Sequence, residues 1–293
     1  MYGNHMDYKL AVLIPTKNRK TLLQRALTSV ITQDVLPNEI VVVNDGSQDD
    51  TVDFLNKFIA THSAFTFQII NRGESGGVNT ARNEGVRVSK SEWIAFLDDD
   101  DEFVPGALKK MQTQLLDVPK HINVVYFNSI IDNGQSNVLG GFQFDEGQKE
   151  YDPTYEETMT KFKLRGDCKP VFRKSLFDNH VYRFPETVNG YESYTMSLVA
   201  RDGKGIRYMH DVSTLVHFDT THSHVSHTAP RKNPQPLLDL HIKQLEEHRE
   251  FYKKNPKRLE EKYLTMAKLA VRAYNVKAFM LYGIWFLLSK VRT

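Results

Sequence analysis

From Lys9 to Ile131 the chain alternates short apolar runs with segments of helical period, and few folds accept that pattern. Lys9 to Ile14 is apolar and ends at Pro15, so it reads as a first, central strand. Leu22, Leu23, Ala26, Leu27, Val30 and Ile31 recur at helical spacing. Ile40 to Val43 is β-branched and reads as a second strand. It runs into Asn44-Asp45-Gly46-Ser47, where Ser47 and Asp50 have the spacing of a helix cap for a segment ending near Ala60. Phe65 to Ile70, Trp93 to Leu97 and Asn123 to Ile131 read as further strands. Helices over Thr80 to Val88 and from Pro105 to Leu116 separate them. Strict alternation of this kind builds right-handed βαβ units and a mostly parallel sheet flanked by helices. The polar ends of strands one, two and four then share one sheet edge. The loops Pro15–Arg19, Asn44–Ser47 and Asp98–Asp101 should line one crevice, at the edge where open α/β sheets take ligands.

The stretch Trp93-Ile94-Ala95-Phe96-Leu97-Asp98-Asp99-Asp100-Asp101 is the chemical centre of that edge. Five apolar residues deliver four adjacent carboxylates to a strand end, and the carboxylates repel one another. A hard divalent cation relieves the repulsion, because carboxylate oxygens suit Mg²⁺ and Mn²⁺. A solvated acidic turn ahead of the next helix is the plainer reading of the same residues.

Several other chemistries lack their residues. No G-x-x-x-x-G-K-[ST] or G-x-G-x-x-G is present, which argues against a P-loop ATPase and a dinucleotide-binding domain. H-E-x-x-H and G-x-S-x-G are absent too. The single cysteine, Cys168, forms no internal disulfide and reads as a small buried residue. A net charge of +2 gives no reason to expect nucleic acid.

After Asp132 the alternation stops. Asn133 to Thr160 is polar, without a clear period, and reads as a variable insertion. Pro170 to Phe177 reads as a strand entering a helix, Glu192 to Ala200 as a helix, and Arg207–Met209 and Thr214–Phe218 as two short strands. His217, His222, His224 and His227 follow closely on one another. Amphipathic helices occupy the chain from Leu237 onward, interrupted near Pro256. The organisation expected is an α/β half over 1–132, a second half of the same domain over 133–229 and a helical extension over 230–293.

The segments Ile14-Pro15-Thr16-Lys17-Asn18-Arg19, Val43-Asn44-Asp45-Gly46-Ser47, Thr80-Ala81-Arg82-Asn83-Glu84-Gly85 and Leu97-Asp98-Asp99-Asp100-Asp101 occur in order at strand and helix ends. Together they resemble the family 2 glycosyltransferases, inverting enzymes of the GT-A fold. The resemblance is strong over Lys9 to Phe127 and weaker over Pro170 to Phe218. It implies transfer of a sugar from a nucleoside-diphosphate donor, UDP by default, to a hydroxyl of a saccharide or lipid-linked acceptor, as in surface polysaccharide or glycoconjugate synthesis. It also implies a Mn²⁺ or Mg²⁺ cofactor. By the same resemblance Asp100 holds the metal and Asp98 lies against ribose or metal. Pro15, Thr16, Arg19, Asp45, Arg82, Asp98 and Asp99 form the nucleotide-sugar set. His217 or His222 adds a metal ligand. The family's general base falls on Glu192, in Asn189-Gly190-Tyr191-Glu192-Ser193. The usual preceding acid is here Tyr191, which leaves Glu186 as an alternative base. A non-catalytic nucleotide-sugar or carbohydrate-binding module of the same fold is the competing function.

The tail has its own chemistry. From Arg249 onward eleven Lys/Arg face three Asp/Glu, so the body ahead of it is net acidic. Ala278 to Leu288 is apolar for eleven residues, flanked by Lys277, Lys290 and Arg292. It is too short to span a bilayer. A helix in the membrane interface and a helix packed on the body or on a second copy of the chain are both open readings. A lone cysteine and no signal-like segment imply a cytoplasmic protein, peripheral on the inner membrane face if the tail docks there.

Overall fold

The computed structural model describes residues 9–132, 134, 137–179, 181–217 and 233–291, with side chains described through Leu288. These residues divide into two compact units. One takes in the chain to Phe184 and resumes at Thr195. The other comprises Pro185–Tyr194 and the C-terminal segment. The boundary expected near residue 230 and the candidate ligand His222 lie outside the described residues.

The first unit is built on β1 (Leu10–Thr16), α1 (Lys20–Ile31), β2 (Glu39–Asn44), α2 (Thr51–Thr61), β3 (Phe67–Asn71), α3 (Val78–Val88) and β4 (Trp93–Phe96). Then come β5 (Glu102–Phe103), α4 (Ala107–Leu116) and β6 (Val124–Asp132). Strands β3, β2, β1 and β4 lie side by side and parallel, as the alternation requires. Every residue of β1, β2 and β4 is buried, which is why these strands read as continuous apolar runs. Pro15 costs β1 no ladder bond. The last bond from the β4 side, Leu97 N–H to the Leu13 carbonyl, lies one step earlier in the pleat. Gly85 of α3 packs so tightly on β1 that a Cβ there would meet Leu13 Cδ1 at 2.3 Å.

Four readings change in detail. The strand after β4 in space is β10 (Cys168–Arg173), antiparallel to both β4 and β6, so it interrupts a mostly parallel sheet whose β3–β2–β1–β4 and β6–β11 pairings are parallel. A strand that arrives from a distant segment cannot be assigned a neighbour by local periodicity. The region expected as a patternless insertion forms β7 (Asn137–Phe142), β8 (Glu150–Tyr151), α5 (Tyr155–Thr160) and β9 (Leu164–Arg165). Helix α5 carries a full capping box between Thr154 and Glu157. The two short strands after Arg201 are one, β11 (Ile206–His217), whose pairing with β6 shifts register between Met209 and Thr214. Such a bulge hides the period of two over which the strand would be recognised. Ser47 does not cap α2 either. Its hydroxyl accepts from the Asn18 N–H at 2.8 Å, and Asp49 accepts from the Thr51 N–H at 3.1 Å.

Helix α6 (Glu192–Arg201) opens in the second unit and continues in the first. The second unit is otherwise α7 (Gln235–Glu247), α8 (Arg249–Lys254), α9 (Pro256–Arg272) and α10 (Val276–Val291). Leu237, Leu238, Met266, Leu269 and Ala270 form its core, with Tyr191 and Tyr282 packed against it. Pro256 sits at the first turn of α9, where its missing N–H costs nothing.

Candidate active site

The three loops expected to share a crevice do meet at the carboxyl ends of β1, β2 and β4. The Asp45 N–H donates to the Thr16 carbonyl at 2.8 Å, and the Gln48 N–H donates to Asn18 Oδ1 at 2.7 Å. The Thr16 hydroxyl donates to Asp99 Oδ2 at 2.7 Å. Gly46, at φ +71°, lets the second loop press on the turn ahead of α3. A Cβ there would lie 2.9 Å from the backbone of Glu74 and Ser75.

The four carboxylates do not stand unneutralised. Arg19 Nη1 lies 2.9 Å from both Asp99 Oδ1 and Asp100 Oδ2. Arg82 Nη2 reaches Asp98 Oδ1 at 2.8 Å. Lys169, on β10, has its ammonium 2.9 Å from Asp98, 2.7 Å from Asp101 and 2.9 Å from Asp167. Mutual repulsion therefore does not by itself demand a metal, which corrects that step of the sequence argument. Lys169 is the residue that sequence reasoning missed. It lies seventy-one positions from Asp98, on the strand whose placement could not be read, inside an unremarkable Cys168-Lys169-Pro170.

The proton affinities follow from this arrangement. Burial disfavours charge on Lys169, but the facing carboxylates of Asp98, Asp101 and Asp167 outweigh it and hold its pKa well above the ordinary lysine value. Burial also opposes charge on Asp98. Lys169 and Arg82 overcome that and hold the acid well below the usual carboxylate range. One ammonium cannot serve three carboxylates equally. Asp101, 2% exposed, is pushed up by burial and by its neighbours Asp98 and Asp100 despite its contact with Lys169. Asp99 rises to about 6, because burial and the charge of Asp100 exceed the help from Arg19 and Thr16.

Asp45 is engaged on all sides. Oδ1 accepts from the Gly76 N–H at 2.9 Å and faces Arg72 Nε at 2.9 Å. Oδ2 accepts from the Ser75 hydroxyl at 2.6 Å and the Gly77 N–H at 2.8 Å. Burial raises its pKa, but these donors together hold it below its ordinary value. A base N–H could reach Asp45 only by displacing one of them. Arg72 is the arginine that pairs with Asp45 and, at 2.6 Å, with Glu84. Pro15 lies opposite Val43 in the β1–β2 register.

No group of three or more His, Cys, Asp or Glu side chains converges on a metal position among the described residues. Mg²⁺ and its relatives, however, are commonly held by one or two carboxylates together with substrate phosphates. Asp98 has a cation on each oxygen and is a poor further ligand. Asp100 meets Arg19 through Oδ2, and its side chain keeps 22% of its area exposed. It therefore suits a metal that arrives with a diphosphate. His217 is held by Glu102, with Nε2 at 2.8 Å from Oε1, and its Nδ1 lies 3.7 Å from Asp132. Strand β11 pairs Thr214 with Phe103 and Leu215 with Glu102.

Glu192 opens α6, and Tyr191 before it has φ +62°. Glu186 lies in the same short segment of the second unit.

The fold is that of GT-A type glycosyltransferases. S. aureus TarS in complex with UDP-GlcNAc superposes with a TM-score of 0.63 at 17% identity, covering 94% of this chain and 90% of that one. The mannosyltransferase PcManGT of Pyrobaculum calidifontis, in complex with GDP-Man and Mn²⁺, gives 0.55 at 18% identity, covering 97% and 85%. The family described as Glycosyl transferase family 2 matches residues 11–180, more than half of the chain, and the chain belongs to it. Among curated relatives, the GalNAc(5)-diNAcBac-PP-undecaprenol beta-1,3-glucosyltransferase of Campylobacter jejuni is 32% identical over 185 residues, 63% of this chain and 57% of that protein. The poly(ribitol-phosphate) beta-glucosyltransferase of Bacillus spizizenii is 25% identical over 246 residues, 79% of this chain and 36% of that protein. The chain thus spans little more than half, or less, of the length of these two relatives.

Proposed function

We propose that this chain transfers a sugar, with inversion, from a nucleoside-diphosphate donor to a hydroxyl of a saccharide or lipid-linked acceptor. One observation carries the reading. A run of carboxylates ends β4 at the ligand-binding edge, and its members are sorted by three cations so that Asp100 is left to meet a cation–diphosphate pair. The TarS complex with UDP-GlcNAc supports a UDP-sugar donor, and the names of the two relatives support a membrane-linked or polymeric acceptor.

In this reading a divalent cation bound with the donor supplies positive charge to the leaving diphosphate. Asp100 would hold it, with His217 as the second candidate ligand. Arg19 keeps Asp100 oriented, and its fixed charge adds to the electrostatic stabilisation of the leaving group. Lys169 and Arg82 keep Asp98 ionised, so that it accepts from a donor hydroxyl. Pro15 and Thr16 floor the nucleoside, with Asp99 holding the Thr16 hydroxyl. Glu192 takes the proton from the acceptor hydroxyl while that oxygen bonds to the anomeric carbon and the bond to the diphosphate breaks. Its support is its place in the family motif and at the first turn of a helix.

The tail supports docking on a membrane surface. Phe279, Met280, Leu281, Ile284, Trp285, Leu287 and Leu288 expose between 43% and 64% of their area on α10. Lys277 lies within the same helix. No helix among the described residues is long and apolar enough to cross a membrane. Interface insertion of this face would bring the chain to a lipid-linked acceptor.

The test is UDP release from UDP-GlcNAc and UDP-glucose with Mn²⁺, with and without EDTA. Transfer by the wild type should collapse with EDTA, and Asp100→Asn should lower it by a factor of about 100 or more, since metal charge stabilisation is worth several kcal/mol. Full activity of Asp100→Asn in EDTA would remove the metal reading. Binding of donor without any turnover would favour the non-catalytic module.

A further inference from the structure

Lys262 of α9 is a lysine in the wrong place for a solvated charge. It is 7% exposed, and none of its contacts is a carboxylate. Its amino group lies 2.6 Å from His241 Nδ1 and 2.5 Å from Gln244 Oε1, both on α7. The His241 ring in turn meets the Tyr191 ring edge-on, with centroids 6.3 Å apart and planes at 80°. Tyr191 is held in the left-handed region at φ +62°, a conformation a tyrosine keeps only when its surroundings impose it. The next residue is Glu192. All of these residues belong to the second unit.

We propose that the His241–Lys262 pair is a positioning device for Glu192: it clamps Tyr191 in its left-handed turn, and the clamp weakens when the pair takes up a proton. The proposal rests on the reading of Glu192 as the general base. Tyr191 is then more than a lost acid. Its side chain turns away into the helical core and ties the first turn of α6 to α7 and α9.

The direction of the effect follows from the surroundings. From α8, Tyr252 presents its ring 5.9 Å from the Lys262 ammonium. Tyr191 packs from the segment before α6, and Tyr282 from α10. On α7, Glu247 is taken by the Tyr194 hydroxyl and lies 3.9 Å from Lys243, and Glu246 faces Tyr282. On α9 itself, Glu261 pairs with Arg258, and Glu260 is the remaining carboxylate beside Lys262 in sequence. Burial pushes Lys262 down to about 7 from 10.5. Burial, and then the charge of Lys262, push His241 down to about 3 from 6.5. Both groups bind protons more tightly when the clamp is open. The clamped form is therefore favoured most at high pH. It loses ground as pH falls from 10.5 toward 7, and again between 6.5 and 3.

The experiment follows hydrogen exchange of the backbone amides over 190–194, corrected for intrinsic rates, in the full chain at pH 7 and pH 9.5. Wild type should show at least tenfold greater protection at the higher pH. Lys262→Met keeps the length of the side chain and cannot charge, so its protection should be the same at both. Tyr191→Gly suits the left-handed backbone and removes the ring; it too should abolish the pH response. Transfer assays give a second readout. The wild-type kcat should rise over the same interval with donor KM unchanged, and both variants should lose that rise. A pH response in both variants equal to that of wild type overturns the proposal. Should Lys262→Met not fold, Tyr191→Gly decides alone. If wild type transfers no sugar, the reading of Glu192 fails, while the exchange data still decide whether the clamp exists.

Discussion

Lys169→Met removes the cation that three carboxylates share. At 2.7 to 2.9 Å and an effective dielectric of about 20, each contact is worth about 6 kcal/mol before desolvation. Burying an ammonium returns several kcal/mol of that, and the carboxylates repel one another. Removing one partner of a buried pair leaves a net loss of about 3–5 kcal/mol. The loss should depend on pH through Asp101. Its folded pKa lies above the unfolded value even with Lys169 present, and without Lys169 it rises further. Such a group contributes stability fully below its unfolded pKa and loses it as pH climbs through the folded one. A proton on Asp101 therefore substitutes for the missing ammonium, and it costs more to bind as pH climbs from 6 to 8. With about 1.4 kcal/mol per pH unit per proton, and wild type giving up about half as much through its own raised Asp101, the variant's deficit at pH 8 should exceed that at pH 6 by about 1 kcal/mol. Urea unfolding at the two pH values measures this, and Lys169→Met/Asp101→Asn should recover most of the deficit at pH 8. A deficit below about 1 kcal/mol at pH 8, or one equal at both pH values, would refute the account of the shared ammonium.

Asp45→Ala strips four donors of their acceptor and should cost about 2–4 kcal/mol at pH 7 by chemical unfolding. Because the folded Asp45 acid lies below 3.8, wild type keeps this advantage above that pH and loses it as pH falls through the depressed value, so the gap should narrow at pH 3. Gly46→Ala combines a disfavoured φ with a 2.9 Å contact to backbone and should lower stability by about 1–3 kcal/mol in the same assay. Removing the residues after Tyr274 should abolish flotation of the chain with liposomes containing anionic lipid. Equal recovery of both forms would show that α10 docks on protein instead.

The four motif segments and their placement at one sheet edge were legible because both depend on local pattern. β1, β2 and β4 are buried on both faces, so their apolar runs stand out, and parallel strands joined by helices necessarily bring their carboxyl ends together. The shared placement of Thr16, Asp45 and Asp98–Asp101 at one sheet edge follows from that connectivity. Where each side chain spends its hydrogen bonds does not. Asp45 entered the nucleotide-sugar set through its motif, and only the structure shows that its oxygens serve Ser75, Gly76, Gly77 and Arg72.

By itself, then, the sequence determined the parallel half of the sheet, the loops that meet at its edge and the acidic run that ends β4. Only the tertiary structure decided how those acids coexist. Their counter-charges come from Arg19 and Arg82, which the motifs contain, and from Lys169, which they do not. Lys169 reaches them because β10 inserts antiparallel between β4 and β6. Long-range pairing of this kind leaves no periodic trace in sequence. The electrostatic energy of a few ångströms between an ammonium and a carboxylate exists only once that strand is in place.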